Sequence, residues 1–293
     1  MMDARNITLK MHGTWHRSYG TAPCPICQTE GRKDQNALTL KDGHLGRLLL
    51  HCKKSGCSFT DILAAAGIMA GDYTPPDPTE VARREAVART EAEKKERQAL
   101  AIWREAQPIR DTIAEAYLRG RGIACDLPES LRFHPTCWHP SAQRLPAMVA
   151  QVDGAERFAV HRTYLHEDGR GRACVMPVKA MLGSVSGGAV RLSGGSGPIV
   201  VAEGIETGLS LLCGLLSGPV TVWAALSTSG LCSLRLPDPP SKLVVATDGD
   251  APGRETGLAL AGRAFALGWT VSTLPASDGR DWNDVLQLKG GAA

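Results

Sequence analysis

The chain has 293 residues, of which 43% are apolar and 22% charged, and its formal net charge is +3. This length suggests about two or three domains, each able to bury a core. No apolar run approaches the roughly 18 residues that a membrane-spanning helix needs, and no secretory leader is visible at the start, so neither a membrane protein nor a secreted protein is predicted. Nine cysteines, four of them in one short span, favour a metal site in a reducing, cytoplasmic setting over a disulfide framework.

Charge is distributed unevenly along the sequence. Residues 1–70 carry 9 basic and 5 acidic side chains, residues 71–116 carry 8 and 10, residues 117–195 carry 10 and 6, and residues 196–293 carry 6 and 9. Two basic blocks therefore alternate with two acidic ones. The basic blocks permit contact with nucleic acid, and acidic residues in fixed motifs are expected to bind divalent cations.

Composition divides the chain into four segments. Residues 1–70 form a cysteine-rich unit, and residues 71–107 combine a Pro-rich linker with a solvated helix. Residues 108–196 are predicted to be a mixed α+β unit, and residues 197–293 alternate strands with helices. The predicted fold is α+β overall, with a C-terminal α/β domain built on a mainly parallel sheet.

The first unit is predicted to contain a β-hairpin and a short helix. Apolar segments at Ala37–Lys41 and Leu45–Leu50 are joined through Asp42-Gly43, a pair typical of tight turns. A helix over Ile62–Ala66 follows, with Thr60 or Asp61 as its N-cap.

The later segments predict one long helix and then a strand–helix series. The long helix covers Thr79–Ala106, a stretch rich in Ala, Glu and Arg without Gly or Pro. In the C-terminal segment the predicted strands and helices are Ile199–Ala202, Ile205–Leu216, Val220–Ala224, Leu243–Thr247, Gly253–Leu267 and Val271–Leu274.

Four cysteines have the spacing of a structural zinc site. Cys24-x2-Cys27 and Cys52-x4-Cys57 lie on either side of the predicted hairpin, so each pair can bend round one side of a tetrahedral ion. The alternative is four buried cysteines without metal. His51 could replace one thiolate, but it points to the opposite face of the strand from Cys52. A site with four protein ligands has no open position, which favours nucleic-acid binding over zinc catalysis.

Acidic residues follow the predicted strands of the C-terminal segment. Glu203 ends one strand, Asp248 and Asp250 end another, and Asp281 follows the last strand. Ligands bind outside the carboxyl ends of parallel strands, so we expect Glu203 and Asp248 to approach each other there. Clustered carboxylates favour Mg²⁺ or Mn²⁺, although each motif alone is also compatible with an ordinary turn. Glu206 lies in the first turn of the following helix, where its negative charge could act only to stabilise the helix N-terminus.

These motifs together resemble bacterial-type (DnaG-like) DNA primases, specifically the zinc-ribbon plus Toprim proteins of phages and mobile elements. The resemblance implies a zinc ribbon at residues 1–70 and a Toprim catalytic domain at residues 197–293. It makes Glu203, Asp248 and Asp250 the catalytic, metal-binding acids, with Asp281 as a further metal-side acid. Within the later motif the sequence departs from the family pattern at two positions, with Arg280 for Lys and Asn283 for the acid of cellular primases.

Residues 108–196 are similar to the primase subdomain that precedes Toprim. Tyr117–Ile123 matches its "YL-x-x-RG" start, and Leu131–Pro135 matches its following strand. The resemblance implies that Arg121, Arg162 and Lys179 face nucleotide phosphates or the template.

The resulting hypothesis is a DNA primase that makes short RNA primers on single-stranded DNA from NTPs, with structural Zn²⁺ and catalytic Mg²⁺ or Mn²⁺. No P-loop is present in the sequence, so a replicative helicase is expected on a separate chain. The alternatives are a Toprim nuclease and a catalytically weak DNA-binding accessory protein. A type IA topoisomerase, which needs a tyrosine nucleophile in a large gate, is not favoured.

Overall fold

The structure, a computed structural model, forms two compact units, Met1–Glu91 and Ala92–Ala293, and the boundary between them falls within one long helix. The described residues are 2–16, 18–29, 36–43, 46–69 and 71–290. Within these ranges, no helix has the length and apolar character needed to cross a bilayer. The four-segment domain division given above stays a prediction.

The first unit contains a small antiparallel sheet. Its elements are α1 (Ala4–Lys10), β1 (Thr14–Trp15), β2 (Gly20–Ala22), β3 (Leu38–Asp42), β4 (Leu48–Cys52), α2 (Phe59–Ala65) and the start of α3 (Pro78–Glu105). The sheet order is β1-β2-β3-β4. The predicted hairpin is confirmed, since β3 and β4 pair antiparallel with Leu38 opposite Cys52; His44 and Leu45, which the prediction also included, lie outside the described residues.

Helix α2 begins earlier than the sequence predicted. The Ser58 hydroxyl accepts a hydrogen bond from the Asp61 backbone N–H at 3.2 Å, so Ser58 is the N-cap and not Thr60 or Asp61. A serine three residues before a free helical N–H satisfies that donor, which fixes the first turn. Ile62 on this helix is fully buried in the core of the unit.

The second unit begins with an antiparallel sheet. Its elements are β5 (Gln107–Pro108), α4 (Ile113–Gly120), β6 (Leu131–Trp138), β7 (Arg144–Val152), β8 (Ala159–Tyr164) and β9 (Lys179–Leu182), and the strands lie in that order. Every residue of β8 is buried, because α3 residues including Ala99 pack on one face and α4 residues including Leu118 contribute to the core on the other.

The chain ends in a second sheet with helices. Its elements are β10 (Val190–Arg191), β11 (Ile199–Ala202), α5 (Ile205–Leu212), β12 (Thr221–Ala224), α6 (Thr228–Ser233), β13 (Lys242–Thr247), α7 (Ala251–Ala266), β14 (Thr270–Pro275) and α8 (Trp282–Gly290). The order is β10-β12-β11-β13-β14, and all pairs except β10–β12 are parallel. The predicted parallel sheet is therefore confirmed.

Several elements of this domain differ from the prediction: β10 and α8 were not predicted, and α7 begins at Ala251 and not at Gly253. Two further helices show the physical reasons. Helix α5 ends at Leu212 and not at Leu216, since Gly214 follows with φ of +89°, a left-handed conformation that stops the helix. Helix α6 was not predicted; Ser227 caps it by accepting a hydrogen bond from the Gly230 N–H at 3.0 Å. Its six residues lack the length that gives a periodic signal.

Candidate metal centres and active site

The first unit brings its four cysteines together. Strand β4 carries Cys52, and the loops before β3 and after β4 carry the other three. The four Sγ atoms all lie within 4.8 Å of one another, and those of Cys27 and Cys52 are 3.6 Å apart. Four sulfurs at about 2.3 Å from a tetrahedral zinc ion would be roughly 3.8 Å apart, so the cluster fits zinc.

The electrostatics of the cysteine cluster also suit a metal. Burial and the neighbouring thiols raise the pKa of Cys57 to about 12. Burial opposes ionisation of Cys52 as well, but backbone N–H groups of Ser55, Cys57 and Lys54 outweigh it and lower its pKa to about 6. The Cys52 thiolate is thus readily formed, and a cation beside it would favour ionisation of Cys57 as well.

The parallel sheet aligns the predicted acidic residues at one edge. Strands β11 and β13 are neighbours, with Ala202 opposite Ala246, so Glu203 and Asp248 leave adjacent strands at their carboxyl ends. Asp250 caps helix α7, where its Oδ1 accepts a hydrogen bond from the Gly253 N–H at 2.8 Å. We call Glu203, Asp248, Asp250 and Asp281 the carboxylate cluster.

Asp281 reaches this edge because its loop binds the backbone of Gly249. The Gly249 N–H donates to the Arg280 carbonyl at 2.8 Å, and the Gly279 N–H donates to the Gly249 carbonyl at 3.1 Å. A Cβ on residue 249 would overlap the Ser277 carbonyl oxygen, so only glycine permits this approach. The Asp-Gly-Asp spacing therefore serves the contact between two loops.

Burial, and then mutual repulsion within the carboxylate cluster, raise the pKa values of Glu203 and Asp248. Burial raises the pKa of Glu203 first, and the charges of Asp248 and Asp250 raise it further. The pKa of Asp248 is raised to about 6 by burial and then by the Asp281 charge. Among the described residues, none donates a hydrogen bond to the Glu203 carboxylate or pairs with it. Oxygen donors that repel one another in this way suit a hard divalent cation.

Glu206, one turn into α5, has a different environment. It is 4% exposed, and its two oxygens accept hydrogen bonds from the Tyr117 hydroxyl at 3.0 Å, Arg172 at 2.9 Å and the Lys179 ammonium at 3.0 Å. Burial opposes its ionisation, but Lys179 and Arg172 prevail and hold the pKa of Glu206 far below its ordinary value. We call these four residues the Glu206 network; it connects the two sheets of the second unit.

The sequence analysis missed Arg172 and the role of Tyr117. Arg172 lies in the loop between β8 and β9, with no motif around it, and its Nε donates to the Tyr117 hydroxyl at 3.0 Å. Tyr117 was noted only as part of a family motif. In the sequence, the signal is an acidic residue among the apolar residues at the start of helix α5, since a glutamate buried there needs cations nearby.

The three predicted phosphate-binding residues have different surroundings. Lys179 donates to Glu206 at 3.0 Å, and the next residue after Glu206, Thr207, donates to Asp248 of the carboxylate cluster at 3.4 Å. Arg121 ends α4 and lies against the Tyr117 ring. Arg162 is 4% exposed and donates to the Trp138 carbonyl at 2.8 Å. A buried guanidinium bonded to backbone is poorly placed for phosphate, so this role for Arg162 stays a prediction that its burial disfavours.

Asn283, which departs from the primase pattern, has a packing role. It is 1% exposed, and its amide donates to the Arg121 carbonyl and the Ser210 hydroxyl, both at 2.9 Å. It therefore joins α8 to α4 and α5. An acid here would lack the N–H donors that these two oxygens need.

Two family models match the second unit. Residues 198–292 match the Toprim domain, and residues 93–192 match a domain of unknown function, DUF7146. The C-terminal sheet with its carboxylate cluster is thus a Toprim domain, as predicted. No curated protein matches the sequence significantly.

Three solved structures are similar to the chain at low identity. A DNA primase domain from Pseudomonas aeruginosa is 16% identical, with a TM-score of 0.40 and coverage of 67% of this chain and 75% of its own. The zinc-binding and RNA polymerase domains of the Aquifex aeolicus primase are 14% identical, with a TM-score of 0.42 and coverage of 100% and 84%. The RNA polymerase domain of Mycobacterium tuberculosis primase DnaG is 16% identical, with a TM-score of 0.41 and coverage of 70% and 81%.

Proposed function

We propose that this protein is a DNA primase that synthesises short RNA primers on single-stranded DNA by metal-dependent nucleotidyl transfer. The observation that carries the proposal is the carboxylate cluster at the carboxyl edge of the Toprim sheet. The four-cysteine cluster supports it as a second feature of the same protein class. The phage or mobile-element affiliation stays a prediction.

In this proposal Glu203, Asp248 and Asp250 hold Mg²⁺ or Mn²⁺, with Asp281 adjacent. The cation would neutralise the triphosphate of an incoming NTP and align it with the 3′-hydroxyl of the growing primer. Lys179 and Arg172, whose side chains are 32% and 37% exposed, present N–H groups beside the cluster for phosphate oxygens.

The four-cysteine unit would hold Zn²⁺ and contact the template. Basic residues such as Lys53 and Lys54, which follow Cys52 and are exposed, suit contact with phosphates. A replicative helicase on a separate chain is the further partner in this proposal.

A labelled-nucleotide assay tests the function. Single-stranded templates, labelled NTPs and Mg²⁺ or Mn²⁺ are incubated with wild type, Asp248→Asn, and the control Glu255→Gln, which removes an exposed carboxylate of α7. Template-dependent labelled oligomers with wild type and Glu255→Gln, but not with Asp248→Asn, are the expected result. Shortened templates without synthesis would instead indicate a Toprim nuclease, and template binding without either reaction would indicate an accessory protein.

A further inference from the structure

Lys179 lies between two groups of acidic side chains. Its ammonium is 3.0 Å from Glu206 Oε2, and this oxygen lies 3.8 Å from the Cβ position of Gly204, the residue that follows Glu203. The residue after Glu206, Thr207, donates from its hydroxyl to Asp248 of the carboxylate cluster at 3.4 Å. The lysine side chain is flexible and here 32% exposed, so its ammonium can move from one group of acids to the other.

In the structure, the Lys179 ammonium hydrogen-bonds Glu206 and not the carboxylate cluster. Glu206 is 4% exposed, and its two oxygens accept hydrogen bonds from Tyr117, Arg172 and Lys179, which all precede the Toprim domain in the chain. It already pairs with Arg172, so the buried carboxylate does not depend on Lys179 alone for neutralisation. In the carboxylate cluster, by contrast, the described residues supply Glu203 with no ion pair.

We propose that Glu206 is a positioning residue, which holds the Lys179 ammonium away from the carboxylate cluster and so keeps these acids free for a divalent cation. Without Glu206, the strongest remaining attraction for the ammonium is the group of repelling carboxylates, where it would compete with the metal. The inference rests on the metal site of the proposed function.

A Mn²⁺ titration of the full chain tests this role without relying on activity. The electron paramagnetic resonance signal of free Mn²⁺ reports how much of the ion remains unbound. The proteins are wild type, Glu206→Gln and the double variant Glu206→Gln/Lys179→Met. We expect Glu206→Gln to weaken Mn²⁺ binding about 10-fold because a freed ammonium competes at the cluster. The double variant should return to within about threefold of wild type, since the competitor is gone.

Each other outcome overturns the inference. Unchanged affinity in Glu206→Gln shows that Glu206 does not control the ammonium, and weak binding that persists in the double variant shows a merely structural role. If Glu206→Gln does not fold, Lys179→Met alone decides: binding within about threefold of wild type supports the inference, and tightening of about 10-fold or more refutes it. Absence of Mn²⁺ binding by wild type would refute the proposed metal site itself, and this inference with it.

Discussion

The two candidate metal centres of this protein are assembled in different ways. The cysteine cluster comes from residues 24–57, and one hairpin brings its ligands together. The carboxylate cluster comes from residues 203–281, and it forms only when parallel strands place their carboxyl ends at one edge. The first site is thus a property of a short segment, and the second is a property of a whole domain. Loss of metal should unfold the first region but leave the second folded.

The largest expected effect is in the cysteine cluster. Cys52→Ala should abolish binding of about one zinc ion per chain, because structural zinc contributes on the order of 10 kcal/mol of folding free energy. Metal analysis measures the loss of zinc, and hydrogen exchange of the β3 and β4 amides measures the loss of folding that follows from it. The control is Cys174→Ser, which changes an exposed cysteine outside the cluster. A zinc-free wild type that still protects these amides would contradict the assignment.

The second effect is on catalysis without unfolding. Asp248→Asn should lower the rate of nucleotidyl transfer about 1000-fold, or ~4 kcal/mol, since it removes a charge that holds the metal. Its thermal stability should be equal to or above that of the metal-free wild type, because burial and Asp281 disfavour the Asp248 charge. A fall in stability together with activity would show that this site, like the cysteine cluster, is needed for folding.

The third prediction concerns His161, a buried histidine of strand β8 in the antiparallel sheet of the second unit. Burial, followed by the charge of Lys179, lowers the pKa of His161 to about 4 from an ordinary 6.5. His161 therefore becomes protonated below pH 6.5 in the unfolded chain but only near pH 4 in the folded chain. This contribution to stability is present above pH 6.5 and is lost as the pH falls towards 4, by about 3 kcal/mol.

Urea unfolding of wild type and His161→Leu between pH 7 and 4 measures this loss. The wild type should lose about 3 kcal/mol more than the variant over this range. Parallel pH dependence of the wild type and His161→Leu would show that the folded protein accepts the proton.

The smallest effect compares two buried tyrosine hydroxyls. Tyr117 donates to the Glu206 carboxylate at 3.0 Å, whereas Tyr164 donates to the Trp138 carbonyl at 2.8 Å. Because bonds to charged acceptors are stronger, Tyr117→Phe should lower the free energy of unfolding by about 2 kcal/mol and Tyr164→Phe by about 1 kcal/mol. Both losses are measured by denaturant unfolding. Equal losses would show that the Tyr117 bond to Glu206 stabilises the fold no more than a bond to a backbone carbonyl.

Sequence reasoning predicted the positions of residues correctly where these depend on short spacing or on strand ends. The cysteine pairs differ by three and five positions, so local geometry predicts that they share a metal. Glu203 and the Asp248–Asp250 pair follow continuous apolar strands, and parallel topology then places them at one edge. The order of those strands was not needed for this prediction.

The same reasoning failed where a partner comes from a distant segment. Arg172 and Glu206 are 34 positions apart, in the loop between β8 and β9 and in helix α5, and no periodic pattern connects them. Arg162 and Lys179 are both basic residues of neighbouring strands, but one is buried against backbone carbonyls and the other is partly exposed beside acids. Residue type does not encode this difference, because tertiary packing decides which side chains keep an open face.

The central claim is that Glu203, Asp248 and Asp250 form a binding site for a divalent cation in the Toprim domain. Equilibrium Mn²⁺ binding to metal-free wild type, Asp248→Asn and Glu255→Gln at pH 7.5 tests it directly. We predict saturable binding that weakens at least about 10-fold in Asp248→Asn and is unchanged in Glu255→Gln. Equal affinity in all three proteins would contradict the claim, because the cation would then bind elsewhere.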